Sequence, residues 1–390
     1  MTAVLTIIIL LFFCYSLLII YYRQSWLDIP DLKPQATNNK LQTRITVIIP
    51  ARNEEENIGR CLDSVCNQAY PKDLYEVLVV DDHSTDKTAE IILSYKAENI
   101  KLISLKDFVA EEKLNSYKKK AIEIAIQQSM GELIVTTDAD CYVPENWLQT
   151  IVAFYEQHHP EFIAAFVAID CSNKFIEVFQ ALDFMTLQGI TGASVYKKIH
   201  SMCNGANLTY TKKAFEEVGG FTGIDNIASG DDMLLMHKIY KRYPEKILFL
   251  KSKEAIVQTA PVNTVGEFFN QRIRWASKAD KYNDKRIFWV LLLVYLINVI
   301  LLLLPTLTLF NPEKLLIFNY QLSIINLWLL LLLLKTGIEL IFLYPVAKFF
   351  GKQKMLWLFP LMQPFHIIYT VIAGWLGKFG SYSWKERNVK

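Results

Sequence analysis

The stretches Ile45-Thr-Val-Ile-Ile-Pro50 and Glu76-Val-Leu-Val-Val-Asp-Asp82 decide the fold of this chain. Both are short runs rich in β-branched residues, and a helical pattern separates them. Two more runs of the same kind follow, from Lys101 to Leu105 and from Leu133 to Thr137. This βαβα order predicts an α/β domain with a mostly parallel sheet that is covered by helices.

Polar residues follow three of these four predicted strands. They are Arg52-Asn-Glu-Glu55 after the first strand, Asp81-Asp-His-Ser84 after the second and Asp138-Ala-Asp140 after the fourth. In sheets of this kind, ligands bind at the carboxyl ends of the strands, near the point where the strand order reverses. The sequence therefore places the candidate binding site at these three segments.

The pair Asp138-x-Asp140 has the composition of a metal site. Mg²⁺ prefers oxygen ligands and is usually held by one or two carboxylates, while water and phosphate oxygens complete its shell. Such a cation can neutralise the charge on a departing diphosphate. A solvated acidic turn has the same spacing, so both interpretations stay open at this point.

Hydrophobic residues make up 52% of the chain, and they are concentrated near its two ends. The apolar segments are 3–22, 287–310, 322–343 and 355–376. The first three are long enough to cross a hydrocarbon core of about 30 Å as helices. The fourth contains Pro360 and Pro364, and is consistent with a kinked span, a re-entrant hairpin or an interfacial helix.

Two charged residues interrupt the third apolar segment. Lys335 and Glu339 are four residues apart and share one face of a helix. This spacing predicts an ion pair that is buried against neighbouring helices. The alternative is a charge pair that lines a path for an acceptor through the membrane.

Charge and cysteine content limit the compartment and the partners. Basic residues follow the first apolar segment, so the positive-inside rule predicts an integral, multi-pass protein of the cell (inner) membrane with its catalytic domain in the cytoplasm. Six cysteines without a CxxC pair fit a reduced compartment. A net charge of +2, from 41 basic and 39 acidic side chains, gives no reason to expect nucleic acid as a partner.

Five motifs occur in a fixed order along the middle of the chain. They are Val47-Ile-Ile-Pro-Ala-Arg-Asn-Glu-Glu55, Val79-Val-Asp-Asp-His-Ser-Thr-Asp86, Thr137-Asp-Ala-Asp140, Gly230-Asp-Asp232 and Gln271-Arg-Ile-Arg-Trp275. This set resembles that of the family-2 glycosyltransferases, which have the GT-A fold. The flanking apolar segments resemble the membrane-bound branch that includes cellulose, hyaluronan and poly-N-acetylglucosamine synthases and ceramide glucosyltransferases.

The resemblance implies a site for a UDP-sugar donor. Ala51, Glu54 and Asp82 would contact the uridine, and a lysine around Lys118 would approach the donor phosphate. The family often has Gly-Lys at this last place, whereas this chain has Tyr117-Lys-Lys-Lys120. A solvated helix face is therefore the alternative role for two of the three lysines.

The same resemblance implies a metal-dependent reaction. Asp138 and Asp140 match the metal and diphosphate motif, and Asp138 also counts as a donor contact. The implied cofactor is a divalent cation, Mg²⁺ or Mn²⁺. Which of the two aspartates touches the ion is not decided by the sequence.

Catalytic and acceptor roles also follow from the resemblance. Asp232 matches the catalytic base, and Asp231 would cap or orient the next helix; the family more often has Glu-Asp here. Gln271 and Arg274 would bind the donor diphosphate or order the loop, and Trp275 would stack on an acceptor sugar. Helix capping is the alternative role for the two aspartates. For the motif Gln271 to Trp275, the alternative is an amphipathic helix at the membrane surface.

These expectations define a domain order and a function. The predicted segments are an anchor at 1–24, a linker at 25–43, the GT-A domain at 44–275, a basic interfacial stretch at 276–286, membrane segments at 287–376 and a basic tail at 377–390. The expected activity is inverting transfer from a UDP-sugar to a carbohydrate or lipid acceptor.

Three alternatives remain for the function and the assembly. The enzyme is either a processive polysaccharide synthase, for which an oligomer or an export partner could complete a pore, or a single-sugar lipid glycosyltransferase. A membrane-anchored nucleotide-sugar-binding protein without activity is the third alternative. All four aspartates of the motifs are present, which argues against that last possibility.

Overall fold

The chain folds into two compact units, each assembled from separate stretches of the sequence. The computed structural model describes residues 2–32, 41–109, 116–199, 202–227, 230–278, 284–310, 314–317, 320–380, 382–384 and 387–389. The helical unit comprises Met1–Asp28, Ser172–Ala193 and Val262–Lys390, and the sheet unit comprises Ile29–Cys171 and Ser194–Pro261. Two parts of the predicted GT-A domain, 172–193 and 262–275, thus belong to the helical unit.

Strands are the main element of the sheet unit. They are β1 (Ile45–Ala51), β2 (Tyr75–Asp81), β3 (Ile100–Ser104), β4 (Leu133–Thr136), β5 (Cys141–Tyr142), β6 (Phe162–Ala165), β7 (Val167–Ile169), β8 (Leu208–Thr211), β9 (Ile247–Leu250) and β10 (Val257–Thr259). Within the described part of the chain, seven of them form a sheet in the order β3-β2-β1-β4-β8-β6-β9, and β5-β10-β7 form a smaller one.

The seven-stranded sheet is mostly parallel, which confirms the predicted fold class. Strand β1 pairs in parallel with β2 and β4, β2 with β3, and β6 with β9. Strand β8 is antiparallel to both of its neighbours. The four predicted strands are all present, and Ile48, Val77 and Val135 in the interior of three of them are fully buried. Continuous apolar runs are expected where helices cover both faces of a sheet.

The strand order brings the predicted binding segments together at the carboxyl ends of neighbouring central strands. Strands β2 and β4 lie on opposite sides of β1, so the order reverses at β1 and β4. Ligands bind at the carboxyl ends of strands at such a reversal. Ala51, Asp81 and Thr136 are the last residues of the three strands that meet there.

Twelve α-helices lie within the described residues. They are α1 (Thr2–Asp28), α2 (Ile58–Cys66), α3 (Thr88–Ser94), α4 (Tyr117–Gln128), α5 (Trp147–His158), α6 (Phe175–Tyr196), α7 (Lys212–Glu217), α8 (Asp231–Arg242), α9 (Val265–Ala276), α10 (Lys285–Phe310), α11 (Ile324–Phe349) and α12 (Phe359–Phe379). Two hairpins, β11 (Lys314–Ile317) with β12 (Tyr320–Ser323) and β13 (Tyr382–Trp384) with β14 (Arg387–Val389), complete the elements.

Four helices of the helical unit are long and apolar enough to cross a membrane, counting only the described residues. The qualifying stretches are Val4–Asp28, Lys285–Leu307, Ile324–Phe349 and Gln353–Phe379. The last stretch contains α12, in which Pro360 lies in the first turn and Pro364 lies inside the helix. The first-turn position is the one that tolerates proline best, since its N–H has no partner within the helix.

The two charges in the third apolar segment form the predicted ion pair. Lys335 Nζ lies 2.8 Å from Glu339 Oε1 on α11. Gln363 of α12 accepts a hydrogen bond from Lys335 at 2.8 Å and donates one to Glu339 at 2.6 Å. Tyr15 of α1 also donates its hydroxyl to Glu339. The pair is therefore buried against neighbouring helices, as its spacing predicts, and its polar atoms have partners from three helices.

Candidate active site

The loops that follow β1 and β2 are tied together by bonds between side chains and backbone. The Asn53 N–H donates to Ser84 Oγ at 3.0 Å, and the Thr85 N–H donates to Asn53 Oδ1 at 2.9 Å. Asn53 and His83 have positive φ angles of 48° and 56°, which non-glycine residues rarely adopt. Such backbone conformations are concentrated at binding and active sites.

These loops bring two of the predicted uridine contacts together. Ala51 and Asp82 are buried at adjacent strand ends, and the Asp82 N–H donates to the Ala51 carbonyl at 2.8 Å. Arg52 donates to the Asp82 carbonyl at 2.9 Å, and His83 Nδ1 lies 3.1 Å from Asp82 Oδ1. The Asp82 carboxylate is thus fixed in place at the carboxyl edge of the sheet.

Glu54, the third predicted uridine contact, lies in the same loop. Its carboxylate accepts a hydrogen bond from the Asn57 amide at 2.8 Å, and its N–H donates to Thr88 Oγ1 at 2.8 Å. Asp86 accepts from the Thr88 N–H at 2.9 Å at the start of α3. Burial alone would raise the pKa of Asp86, but hydrogen bonds from Thr88 and from the Glu55 N–H together outweigh burial and lower the pKa of this carboxyl.

Lys118 connects two motifs that are far apart in the sequence. Its Nζ lies 2.6 Å from Asp138 Oδ1 and 3.3 Å from Asp231 Oδ2. Burial alone would lower the pKa of Lys118, but the carboxylates of Asp138 and Asp231 outweigh burial and raise it well above its ordinary value. The lysine is therefore a fixed positive charge between the Asp-x-Asp motif and the Gly-Asp-Asp motif.

The two neighbouring lysines have other partners. Lys119 is buried and donates to the carbonyls of Ile224 and Ile227. Lys120 pairs with Glu123 one turn along the same helix, at 2.7 Å. Of the three lysines in the tract, Lys118 is thus the one that the fold directs at the carboxylates.

The two aspartates of the Gly-Asp-Asp motif differ in their surroundings. They are the first two residues of α8, after Gly230 in the left-handed conformation with φ 78°. Asp232 accepts from the Met233 N–H at 2.7 Å and from the Gly205 N–H at 3.2 Å. An ionised carboxylate has about four acceptor positions, so these bonds orient Asp232 and leave it capacity to accept another proton donor. Asp231 faces Lys118 instead.

Gly205 lies against this cluster of carboxylates, in the loop before β8. A Cβ atom there would lie 3.3 Å from Asp231 Oδ2, 3.3 Å from Lys118 Nζ and 3.7 Å from Asp232 Cβ. The Gly205 carbonyl accepts from Thr136 Oγ1 at 3.0 Å, which ties the loop to the end of β4. The absence of a side chain at this position allows the loop to approach the carboxylates.

The Asp-x-Asp motif has the chemistry of a divalent cation site. Asp138 is partly buried and Asp140 is exposed, and both offer carboxylate oxygens. In the part of the chain that the structure describes, no group of three or more His, Cys, Asp or Glu residues is arranged to hold a metal. The two carboxylates fit a cation that one or two protein oxygens hold, with water and diphosphate as its remaining ligands, which is the usual arrangement for Mg²⁺.

Two buried thiols support the motif from behind. Cys61 Sγ donates to the Asp138 carbonyl at 3.7 Å, and Cys141 Sγ donates to Asp140 Oδ1 at 3.4 Å. Burial, followed by the nearby aspartates, raises the pKa of both thiols. They are therefore neutral hydrogen-bond donors at neutral pH and position the motif.

The motif Gln271 to Trp275 lies on α9, in the helical unit. Gln271 accepts a hydrogen bond from Arg272 Nη1 at 2.6 Å. The Arg274 carbonyl accepts from Ser277 Oγ at 2.9 Å. The Trp275 ring packs against Phe184 of α6, with 5.8 Å between ring centroids. Within the helical unit, the motif is thus part of a packed helix surface.

Sequence reasoning missed an ion pair between Arg272, which lies inside this motif, and Asp183 of α6. Arg272 and Asp183 are almost fully buried and form an ion pair at 2.7 Å. A signal was available for Asp183, because it is the one charged residue between Glu177 and Lys197 in an otherwise uncharged stretch. Charges that are buried in an apolar stretch of this kind usually pair with an opposite charge or a backbone carbonyl.

A mostly parallel α/β sheet with a carboxylate cluster at its strand ends is the arrangement expected of a GT-A nucleotide-sugar transferase. The family model "Glycosyl transferase family 2" matches residues 46–219, and the model "Glycosyl transferase family group 2" matches residues 133–375. The chain therefore belongs to the family-2 glycosyltransferases and is a glycosyltransferase.

Curated relatives are similar over part of their length. The chain is 28% identical to "Glycosyltransferase AglE" of Haloferax volcanii over 59% of this chain and 71% of that protein. It is 26% identical to "Beta-monoglucosyldiacylglycerol synthase" of Nostoc sp. over 64% of this chain and 51% of that protein. The chain thus spans about half the length of the second relative.

A solved structure shows the same fold. It is the mannosyltransferase PcManGT from Pyrobaculum calidifontis, in complex with GDP-Man and Mn²⁺. The TM-score is 0.55 at 21% identity, and the match covers 93% of this chain and 99% of the other. At this identity the likeness concerns the fold.

Proposed function

We propose that this chain is an inverting, metal-dependent glycosyltransferase that moves a sugar from a UDP-sugar to a lipid or polysaccharide acceptor at the cytoplasmic face of the cell membrane. The observation that carries the proposal is the contact of Lys118 with both Asp138 and Asp231. It joins the proposed donor motif to the proposed catalytic motif within the sheet unit.

The donor is held by the loops after β1 and β2. Ala51, Glu54 and Asp82 contact the uridine, and Lys118 binds an oxygen of the diphosphate. A divalent cation bound by Asp138 and Asp140 supplies neutralisation of charge on the departing diphosphate. Gln271 and Arg274 on α9 are further diphosphate contacts in this proposal.

Transfer is a single displacement at the anomeric carbon. Asp232 takes the proton from an acceptor hydroxyl, the hydroxyl oxygen bonds to the anomeric carbon, and the bond from that carbon to the diphosphate oxygen breaks. General base catalysis of this kind contributes about 10² to 10⁴ in rate. Asp231 positions Lys118, and Trp275 offers an aromatic face to the acceptor.

A membrane lipid is the acceptor that we favour. One relative is named for synthesis of a glucosylated diacylglycerol, and four described helices of this chain are apolar enough to span a membrane. A processive polysaccharide synthase is the alternative. Thin-layer chromatography and gel sizing of radiolabelled product distinguish them, because a lipid enzyme releases a single-sugar lipid and a synthase releases a ladder.

The orientation of the chain has its own test. The basic residues after the first apolar segment support a cytoplasmic position for the sheet unit. A cysteine introduced at Asn39, which lies outside the described residues, should then resist an impermeant thiol reagent added to intact cells. Labelling from the outside would reverse the proposed topology.

The activity is tested by nucleotide release from the full chain in membranes. UDP-glucose, UDP-N-acetylglucosamine, UDP-galactose and GDP-mannose are offered as donors with Mn²⁺ or Mg²⁺, with and without EDTA. We expect UDP release that EDTA abolishes and that Asp232→Asn removes. Release from GDP-mannose alone would overturn the assignment of the donor, and full activity in EDTA would overturn the metal site.

A further inference from the structure

A buried ion pair connects three helices of the helical unit. Arg272 of α9 donates to Asp183 Oδ2 of α6 through Nε at 3.1 Å and through Nη2 at 2.7 Å. Arg272 is 4% exposed and Asp183 is 7% exposed. The other carboxylate oxygen, Oδ1, accepts the hydroxyl of Tyr369 on α12, and His366 Nε2 lies 4.0 Å from it. One carboxylate is therefore the meeting point of α6, α9 and α12.

The same pair controls the surroundings of Trp275. The Arg272 guanidinium lies 4.3 Å from the centre of the Trp275 ring and 4.6 Å from that of Phe268. Phe184, the residue after Asp183, packs against the Trp275 ring as well. A guanidinium is planar, so hydrogen bonds to Asp183 fix the plane that rests on the indole. Adjacent residues of α6 thus hold both the cation and the ring.

Stability alone is a weak reason for such a pair. Replacing a buried ion pair by apolar residues of similar volume is often neutral or stabilising, because desolvation of two charges offsets their attraction. What apolar residues cannot supply is direction. Two guanidinium donors that converge on Oδ2, with a tyrosine hydroxyl on Oδ1, fix one orientation of the arginine. The arrangement is therefore suited to holding the Trp275 ring at a set angle.

We propose that Asp183 is a positioning residue for acceptor binding, which acts through Arg272 to orient the Trp275 ring. This inference rests on the proposed role of Trp275 at the acceptor side. Asp183 touches neither donor nor acceptor in this scheme. Tyr369 restrains the same carboxylate from α12, so the three helices together set the angle of the indole.

The test separates acceptor use from donor binding and from folding. In Asp183→Asn we expect the acceptor KM to rise at least tenfold, while the UDP dissociation constant stays within twofold of the wild type. Arg272→Lys should show the same defect, because lysine keeps the charge and loses the planar, paired donors. Arg242→Met, which breaks an exposed pair with Glu217, is the matched control and should leave both constants unchanged.

A double variant keeps the proposal falsifiable if single variants fold poorly. Asp183→Leu combined with Arg272→Met removes both charges together, and we expect it to recover the wild-type melting temperature while the acceptor KM stays at least tenfold raised. Recovery of both stability and acceptor KM would show that the pair is only structural and would overturn the proposal. A wild type that releases no nucleotide from any donor would instead refute the proposed function.

Discussion

Replacing Lys118 by methionine tests the junction between the two carboxylate motifs. The substitution keeps most of the apolar part of the side chain and removes its charge, so Asp138 and Asp231 lose a shared partner that lies at 2.6 Å and 3.3 Å. If Lys118 also binds the donor diphosphate, nucleotide affinity must fall. The Mn²⁺ affinity measured without nucleotide should not fall, because Lys118 and a cation would compete for the Asp138 carboxylate.

The magnitude follows from the contacts. A hydrogen bond to a charged group contributes about 1.5 to 3 kcal/mol, and we take about 2 kcal/mol because the Lys118 side chain is 23% exposed and Asp138 is 34% exposed. Since each 1.4 kcal/mol is tenfold in affinity, UDP should bind about 30-fold more weakly.

The pH dependence has a definite sign. The folded state raises the pKa of Lys118, so the stability that this lysine contributes is complete below its ordinary pKa of 10.5 and is lost only as the pH rises further. The difference in melting temperature between wild type and Lys118→Met should therefore be constant from neutral pH to about pH 10.

Calorimetric titration of UDP and of Mn²⁺ into the purified full chain measures the two affinities. Lys120→Met is the matched control, because Lys120 is on the same helix and pairs with Glu123 away from the cluster. The control should bind UDP like the wild type. Unchanged UDP binding by Lys118→Met, together with lost Mn²⁺ binding, would refute the reasoning, since Lys118 would then only organise the carboxylates.

Substitutions at three further residues test the catalytic and acceptor roles. Asp232→Asn should lower turnover at least 100-fold with UDP affinity retained, and near-normal turnover would move the base to Asp231. Gly205→Ala should lower turnover about tenfold with little change in melting temperature, because the new Cβ lies 3.3 Å from Lys118 Nζ and from Asp231 Oδ2; wild-type kinetics would mean that the loop yields freely. Trp275→Ala should raise the acceptor KM more than the UDP dissociation constant, and Trp275→Phe should restore much of it; equal effects on both constants would contradict an acceptor role.

The fold could be predicted from local sequence because its central strands are buried on both faces. A run such as Ile45 to Pro50 is apolar whichever strand pairs with it, so the strand is visible without knowledge of its neighbours. Strand β8 was not predicted, because its sequence Leu-Thr-Tyr-Thr is not a continuous apolar run, although all four residues are buried in the sheet. The long apolar helices could also be predicted from local sequence, because each is a continuous stretch of apolar residues long enough to span a membrane.

Part of the candidate site could likewise be predicted from the sequence, and part could not. The sequence by itself determined which residue types follow the strands, since Asp82 and Asp138 lie directly after apolar runs that fix the carboxyl edge of the sheet. Only the tertiary structure decided which of three consecutive lysines faces the carboxylates, because successive helix residues point about 100° apart and the choice depends on what packs against α4. It also decided the partnership of Asp183 with Arg272, which are 89 residues apart. Geometry at that separation is set by helix packing, on which the order of the residues along the chain carries no direct information.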